Sequence, residues 1–364
     1  MRRDHRSSQP NGQREESPRM ARKNDRRKAA TGRGKGASGK PRTGRPGVAK
    51  AAAKPTGKGG KLAVKPATPP PAPKPKFRGR VLENEPLARY TTYRIGGPAR
   101  FLVQPADAED VAKALDLAQE RGLPWMALGL GSNVLVKDAG FPGVVIRIGK
   151  GLDRFEMKGA TAIVGAGLAT PLLARRTAEA GFAGVERFIG IPGTVGGGVY
   201  MNAGAHGAEF AEVLTEATVM DAKGKVRSVG RKQISFKYRA SNLGNVIVLE
   251  AKLALIEEPP AKLKELQARL FRWRKAGTPF DQPCAGSVFK NPGGPRTAGV
   301  LIDECGLKGF TIGGAQVSTL HANYIVNTGT ATASDVLKVI DHVRKTVAKK
   351  TGVELELEVK VIGA

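Results

Sequence analysis

Apolar residues at Val111, Ala114, Leu115 and Ala118 recur at helical spacing, with Asp107 before them and Gly122 just after. That pattern predicts a capped helix closed by glycine. Short apolar runs at Phe101 to Val103, Trp125 to Leu128, Val134 to Val136 and Ala162 to Val164 read as strands, and so does the alternation of Val144, Ile146 and Ile148. Thr170-Pro171 reads as an N-cap followed by proline at N1, opening a helix that Gly181 closes. Val213 to Met220, a D-A-K-G turn and Val226 form a predicted hairpin. Val246 to Ile256 is a long strand, and Pro259-Pro260 marks a boundary.

Beyond that boundary the pattern predicts helices at about Ala261 to Lys275 and at Ala298 to Cys305, then a strand at His321 to Asn327. A long helix follows, capped by Ser334 and closed by Gly352, with Val336, Val339, Ile340, Val343 and Val347 on one face. Glu354 to Val361 alternates strictly and reads as a half-buried strand, which places Glu354, Glu356 and Glu358 on one face. No internal repeat interrupts this order.

Two glycine-rich stretches stand out against the pattern. Gly129, Leu130, Gly131, Ser132 and Asn133 join one apolar strand to another that begins at Val134. Because a strand follows, and Val134 occupies the third glycine position of G-x-G-x-x-G, a nicotinamide-type Rossmann fingerprint is absent. About 60 residues on, G-I-P-G-T-V-G-G-G-V-Y-M-N-A-G-A runs from Gly190 to Ala205, six of its sixteen residues glycine. Backbone without Cβ approaches a bound group closely, and fanned N–H groups cradle a pyrophosphate. A tight buried turn in an α/β domain has the same composition, so the pair of loops, and not either alone, points to a dinucleotide.

Charge divides the chain. Residues 1–80 hold 24 Lys/Arg against 4 Asp/Glu, and residues 81–364 hold 36 against 28, within a total of +28. The basicity therefore belongs to the N-terminal segment. Residues 1–76 carry almost no large apolar side chains and are expected to be disordered. A tail of that charge suits weak contact with nucleic acid or an anionic surface, although no aromatic before Phe77 offers base stacking. Gly34 to Lys40 spells a G-x-x-x-x-G-K, but Pro41 replaces the Ser/Thr and no strand precedes it. Two cysteines without C-x-x-C argue against a disulfide framework and fit a reducing, cytoplasmic setting. Four scattered histidines argue against a metal site. No secretory signal and no apolar run of about 18 residues is present, so nothing is expected to span a membrane.

Four polar residues sit where a site would use them. Ser287 lies in an apolar turn after Gly286, Arg239 follows Tyr238 in a strand-edge segment, Glu358 lies near the C-terminus, and His321 precedes an apolar strand. Each also has an ordinary role: arginines and alternating glutamates usually face solvent, and a lone histidine is more often a hydrogen-bonded core residue.

Taken in order, G-L-G-S-N (129–133), the 190–205 stretch, Y-R-A-S (238–241), A-G-S-V-F-K-N-P (285–292), G-L-K-G-F-T-I-G-G-A (306–315) and E-L-E-V-K-V-I-G (356–363) resemble the UDP-N-acetylenolpyruvoylglucosamine reductase family over about residues 81–364. The resemblance implies an α+β fold: a disordered tail at 1–76, an FAD-binding domain of the PCMH/vanillyl-alcohol-oxidase type at 77–258, and a smaller α+β substrate-binding domain at 259–364. It implies non-covalent FAD, held by Gly129 through Val134 and by Gly190, Ile191, Pro192, Gly193, Thr194, Gly196, Gly197 and Asn202. NADPH would reduce the flavin and UDP-N-acetylglucosamine enolpyruvate would take the hydride. Ser287 matches the family's proton donor, Arg239 and Glu358 its other catalytic residues, and Asn291 and His321 its substrate contacts. A monomer is expected. Leu130 departs from the usual G-G-G-S-N, and the short connection between Arg239 and Ser287 places the chain in the short subclass, without the longer subclass's substrate-binding tyrosine. The rivals are another FAD-linked oxidase, although neither glycine loop holds a well-placed attachment residue (His206 follows the second loop and the FAD domain has no Cys), and a tail-driven nucleic-acid-binding protein.

Overall fold

A computed structural model describes residues 76–364. The expected disorder and polyanion contact of the basic tail fall on residues 1–75, outside the described residues, as does the G-x-x-x-x-G-K stretch.

The N-terminal half is built on two main sheets, with a few two-stranded pairs beside them. The first has the order Arg80–Pro86, Pro98–Gln104, Phe141–Arg147, Trp125–Leu128. Its first pair is antiparallel and the other two are parallel. The helix Ala108–Glu120 carries the chain from Pro98–Gln104 across to Trp125–Leu128, two places along the sheet and running in the same direction. Asp107 caps that helix by accepting from the N–H groups of Glu109 and Asp110 at 3.0 and 3.1 Å. The second sheet is antiparallel throughout, in the order Val226–Gly230, Leu214–Asp221, Val246–Ala254, Thr161–Gly165, Phe155–Lys158. Its inner face packs on the short helices Thr170–Glu179 and Val195–Met201.

In the C-terminal half, the helix Ala333–Thr351 buries Val336, Val339, Ile340, Val343 and Val347 to 4% exposure or less. Each such side chain contributes roughly 1.5–3 kcal/mol relative to an exposed one. The stripe lies over a three-stranded antiparallel sheet of Thr311–Ile312, Ala315–Val317 and Ile325–Asn327.

Several boundaries differ from the sequence expectation. Thr170 is the first helical residue and Ala169 the cap, because Ala169 bridges to Thr194 and Thr170 N–H donates to Gly193 O at 3.0 Å. Thr332, and not Ser334, caps the long helix in a capping box with Asp335. His321 lies in a turn, and the strand starts only at Ile325. The alternating Glu354 to Val361 stretch is a strand only at Lys360–Ile362, which pairs in parallel with Val134–Val136 of the other half.

The two halves are interleaved. The helix Pro260–Gly277 follows the Pro-Pro boundary but packs back on the N-terminal half, where Gln267 Nε2 donates to Ala174 O at 2.6 Å. Tyr93, Ile95 and Leu135 belong to the C-terminal core. Asp138, between two N-terminal strands, accepts from Ala333 and Ser334 N–H at 2.8 and 3.0 Å and so caps the long C-terminal helix.

Candidate active site

A cavity of about 860 Å³ opens between the halves. One wall is built by the two glycine stretches. Ser132 Oγ donates to Pro192 O at 3.0 Å and joins them. Gly129 packs against Thr194 so closely that a Cβ would come within 2.5 Å of Thr194 Oγ1. Val195–Met201 is a helix despite three consecutive glycines, and each of the three has a separate reason. A Cβ on Gly196 would come within 2.8 Å of the Ala166 Cβ, and one on Gly198 within 2.3 Å of the Phe210 ring. Gly197 faces the cavity, where a Cβ would meet only Thr194 Oγ1 at 3.7 Å. Protein packing does not explain this glycine, which costs about 1 kcal/mol relative to alanine in a helix. Close approach of a bound group explains it. Gly193, at φ 126°, needs glycine for its backbone conformation. Thr170 Oγ1 lies on the same wall, buried and without a hydrogen-bond partner among the described residues. This wall fits a large flat ligand with hydrogen-bonding edges.

The opposite wall is made of side chains. Ser287 follows Gly286, and the next residues pair with the C-terminal segment through an antiparallel bridge of Phe289 to Leu357. Glu358 N–H donates to Val288 O at 2.8 Å, and Lys290 N–H to Glu356 O at 2.8 Å. This register sets Glu358 opposite Val288, one residue from Ser287, with both Glu358 and Ser287 on the cavity. Glu354 and Glu356 remain exposed as the alternation suggests, but Glu358 turns inward, its side chain 16% exposed. Asn133 Nδ2 donates to Glu358 O at 3.2 Å, which ties this segment to the first glycine loop.

Arg239 joins the walls. It occupies the turn of a two-residue hairpin whose strands, Phe236–Lys237 and Ala240–Ser241, pair directly. Its φ of 54° is left-handed, a conformation costing a non-glycine residue about 1–2 kcal/mol. That turn aims the guanidinium inward: Nε donates to Glu358 Oε1 and Nη2 to Gly204 O, both at 2.9 Å. Burial pushes the Glu358 carboxyl above the ordinary carboxylate range, while the Arg239 charge and hydrogen bond pull it down. The site therefore sets the fixed Arg239 cation beside a carboxyl that holds its proton to higher pH than an ordinary glutamate.

Most expected site residues converge here: Gly129 through Val134, Ile191 through Thr194, Gly196, Gly197, Arg239, Ser287, Asn291 and Glu358 all line the cavity. Asn291 Oδ1 also accepts from Ala298 N–H at 3.1 Å. Three residues lie elsewhere. Asn202 is fully buried at the C-terminal cap of the glycine helix, where its amide donates to Lys237 O and accepts from Ala211 N–H. His321 is turned away from the cavity, its Nδ1 accepting from Asn323 N–H at 3.1 Å; Asn323 and Tyr324 reach the cavity in its place. Gly190 is off the main cavity and lies under the Arg274 side chain. His206 likewise does not reach the wall; its ring stands edge-on to Trp273 with centroids 5.2 Å apart. Nothing in the sequence singled out Tyr324 or Arg274, since a short polar turn and the end of an amphipathic helix carry no periodic signal.

Residues 99–230 match the family described as an FAD binding domain. The fold and the glycine-lined wall thus define an FAD-containing oxidoreductase. Residues 278–362 match the family described as the C-terminal domain of UDP-N-acetylenolpyruvoylglucosamine reductase. Relatives carrying that enzyme's name include the Bacillus subtilis (strain 168) protein, 43% identical over 288 residues, covering 78% of this chain and 95% of the relative. The Halalkalibacterium halodurans protein is 45% identical over 287 residues with the same two coverages. The crystal structure of UDP-N-acetylenolpyruvylglucosamine reductase (MurB) from Thermus caldophilus superposes with a TM-score of 0.68 at 38% identity, covering 79% of this chain and 99% of that one. The chain belongs to the UDP-N-acetylenolpyruvoylglucosamine reductase family. No helix among the described residues is long and apolar enough to cross a membrane.

Proposed function

We propose that the protein reduces UDP-N-acetylglucosamine enolpyruvate to UDP-N-acetylmuramate in peptidoglycan precursor synthesis, with Ser287, Arg239 and Glu358 as its catalytic residues. The observation that carries this reading is the convergence of Ser287, the Arg239–Glu358 pair and the glycine wall on one cavity. FAD, held non-covalently on the glycine wall, would supply the hydride, taken from NADPH and passed to C3 of the enolpyruvyl group. Gly193 and Gly197 would leave room for that cofactor, and the unpartnered Thr170 hydroxyl would be free to hydrogen-bond it. The N-terminal half (77–258) serves the cofactor and the C-terminal half (259–364) the substrate.

Adding a hydride to the enol ether acid pushes negative charge toward its carboxylate. Arg239 answers that charge with a guanidinium already fixed by Glu358 and Gly204 O, so little reorganisation is needed as the charge forms. A second anion beside Glu358 favours its protonated form further, and the neutral carboxyl then donates a hydrogen bond to the developing enolate. Ser287 Oγ holds the proton that goes to C2. Its hydroxyl is a weak acid in water, and fixed position next to a carbanionic centre is what makes it competent. Asn291, Asn323 and Tyr324 bound the substrate side.

The test is spectroscopic. The purified protein should be yellow and release free FAD on acid precipitation. NADPH should bleach the flavin band, and the enolpyruvyl nucleotide should restore it. Colourless protein that cannot be reconstituted, or flavin that stays with the precipitate, contradicts the reading. The enzyme works as a cytoplasmic monomer. The basic tail contacts nucleic acid or another polyanion; salt should elute the full chain from heparin far later than a chain starting at Phe77, with equal kcat.

A further inference from the structure

Arg274 has no part in the chemistry above, yet its surroundings are those of a binding residue. It lies in the last turn of the helix Pro260–Gly277, where a basic residue ordinarily faces solvent and complements the helix dipole. Instead its Nε is buried without a hydrogen-bond partner among the described residues, and no carboxylate there pairs with it. The residue as a whole is partly exposed, but a guanidinium N–H left buried and unpaired is costly unless something else completes it.

Its path is specific. The side chain lies across Gly190, and a Cβ there would meet Arg274 Cδ at 2.2 Å. The first glycine of the long stretch thus serves to let this arginine through. Arg274 also lines the main cavity, and its charge is felt at Cys284 and His321 of the C-terminal half. After burial, its charge is the next cause lowering the His206 imidazole, so the surroundings are electropositive.

We propose that Arg274 grips a diphosphate oxygen of the nucleotide-sugar substrate, and that Gly190 is glycine to keep that arginine in place. A planar guanidinium suits phosphate oxygens, and a phosphate would complete the orphaned Nε. The role rests on the function proposed above. NADPH also carries a diphosphate, so the ligand's source must be tested directly.

UDP and NADP⁺ are titrated separately into oxidised holoenzyme by calorimetry, with uridine as the unphosphorylated control. For Arg274→Met, the UDP Kd should rise about 10- to 100-fold, the scale of one charge-assisted hydrogen bond. Uridine and NADP⁺ affinities should hold, and so should FAD content and the flavin spectrum. Arg274→Lys should recover part of the loss. Gly190→Ala should weaken UDP in the same way, and adding it to Arg274→Met should weaken UDP no further. In turnover, KM for the enolpyruvyl nucleotide should rise with kcat within about threefold. Undiminished UDP binding by Arg274→Met overturns the role while leaving the functional reading intact. A loss confined to NADP⁺, or loss of FAD, also overturns it. If the parent holoenzyme neither binds UDP nor is re-oxidised by the enolpyruvyl nucleotide, both readings fail together.

Discussion

Between Gly129 and Gly204 the cavity wall is mostly backbone, whereas across the cleft it is the side chains of Ser287, Asn291 and Glu358 that face the same space. The backbone wall is fixed by steric necessity: Gly196 and Gly198 are packed to the limit against Ala166 and Phe210. The side-chain wall is fixed by hydrogen bonds across long sequence separations, from Val288 to Glu358 and from Arg239 to Glu358. A wall that must hold a large cofactor in one place is rigid by packing. A wall that must shift charge and protons is built from groups whose protonation can change.

Arg239 is where the two walls meet, and its loss should have the largest effect. Arg239→Ala removes the fixed cation and leaves Glu358 half-buried without its partner. Re-oxidation of reduced flavin by the enolpyruvyl nucleotide should slow about 10²- to 10³-fold in single turnover, the usual scale for one preorganised electrostatic stabiliser. Re-oxidation at near-parent rate would show that the guanidinium is only a structural tie.

The glycine helix offers a contrast within one wall. Gly198→Ala drives a methyl into the Phe210 ring and should cost about 1–3 kcal/mol, read as a lower Tm. Gly197→Ala one residue earlier should stabilise the apoprotein by up to about 1 kcal/mol of helix propensity, read as a higher Tm, while weakening FAD binding. Equal effects at the two positions would refute the division into packing glycines and a cofactor-facing glycine.

Asp138 tests the interleaving of the halves. Asp138→Ala removes the acceptor of two helix N–H groups and should cost about 1 kcal/mol, less than a sole cap because Thr332 and Asp335 remain. An unchanged Tm would show that the cap adds nothing to that box.

The smallest change is one of shape, in the pH profile. Because the folded Glu358 carboxyl keeps its proton to higher pH than the unfolded one, its stabilising contribution is present at acid pH and lost as pH rises through the raised value. The re-oxidation rate should fall over the same window, and Glu358→Gln, which cannot ionise, should lack that limb. A variant that keeps the alkaline limb would assign it to another group.

The long helices were legible because a buried stripe repeats every three or four residues, as at Val336, Val339, Ile340, Val343 and Val347. The glycine stretches announced a close backbone approach, although not that one of them coils into a helix at Val195–Met201. Glu358 was the harder case. Alternation groups it with the exposed Glu354 and Glu356, and only its pairing with a segment about 70 residues away turns it inward. Arg239 likewise owes its direction to a positive φ that an arginine codon does not reveal. His321 was expected at the site by resemblance, but its Nδ1 is committed to the turn that presents Asn323. Periodicity reports what one element buries, and it is silent on which distant element a short turn will meet.

The division of labour between the walls is tested most directly by Ser287→Ala in stopped flow, following flavin absorbance through each half-reaction. A side chain acting only on the substrate has no task while NADPH reduces the flavin. Bleaching by NADPH should keep its parent rate, and re-oxidation by the enolpyruvyl nucleotide should slow by at least ~10²-fold, as expected for loss of a positioned general acid. If bleaching slows as much as re-oxidation, or if neither step changes, Ser287 is not the proton donor and the assignment of proton chemistry to the C-terminal wall is wrong.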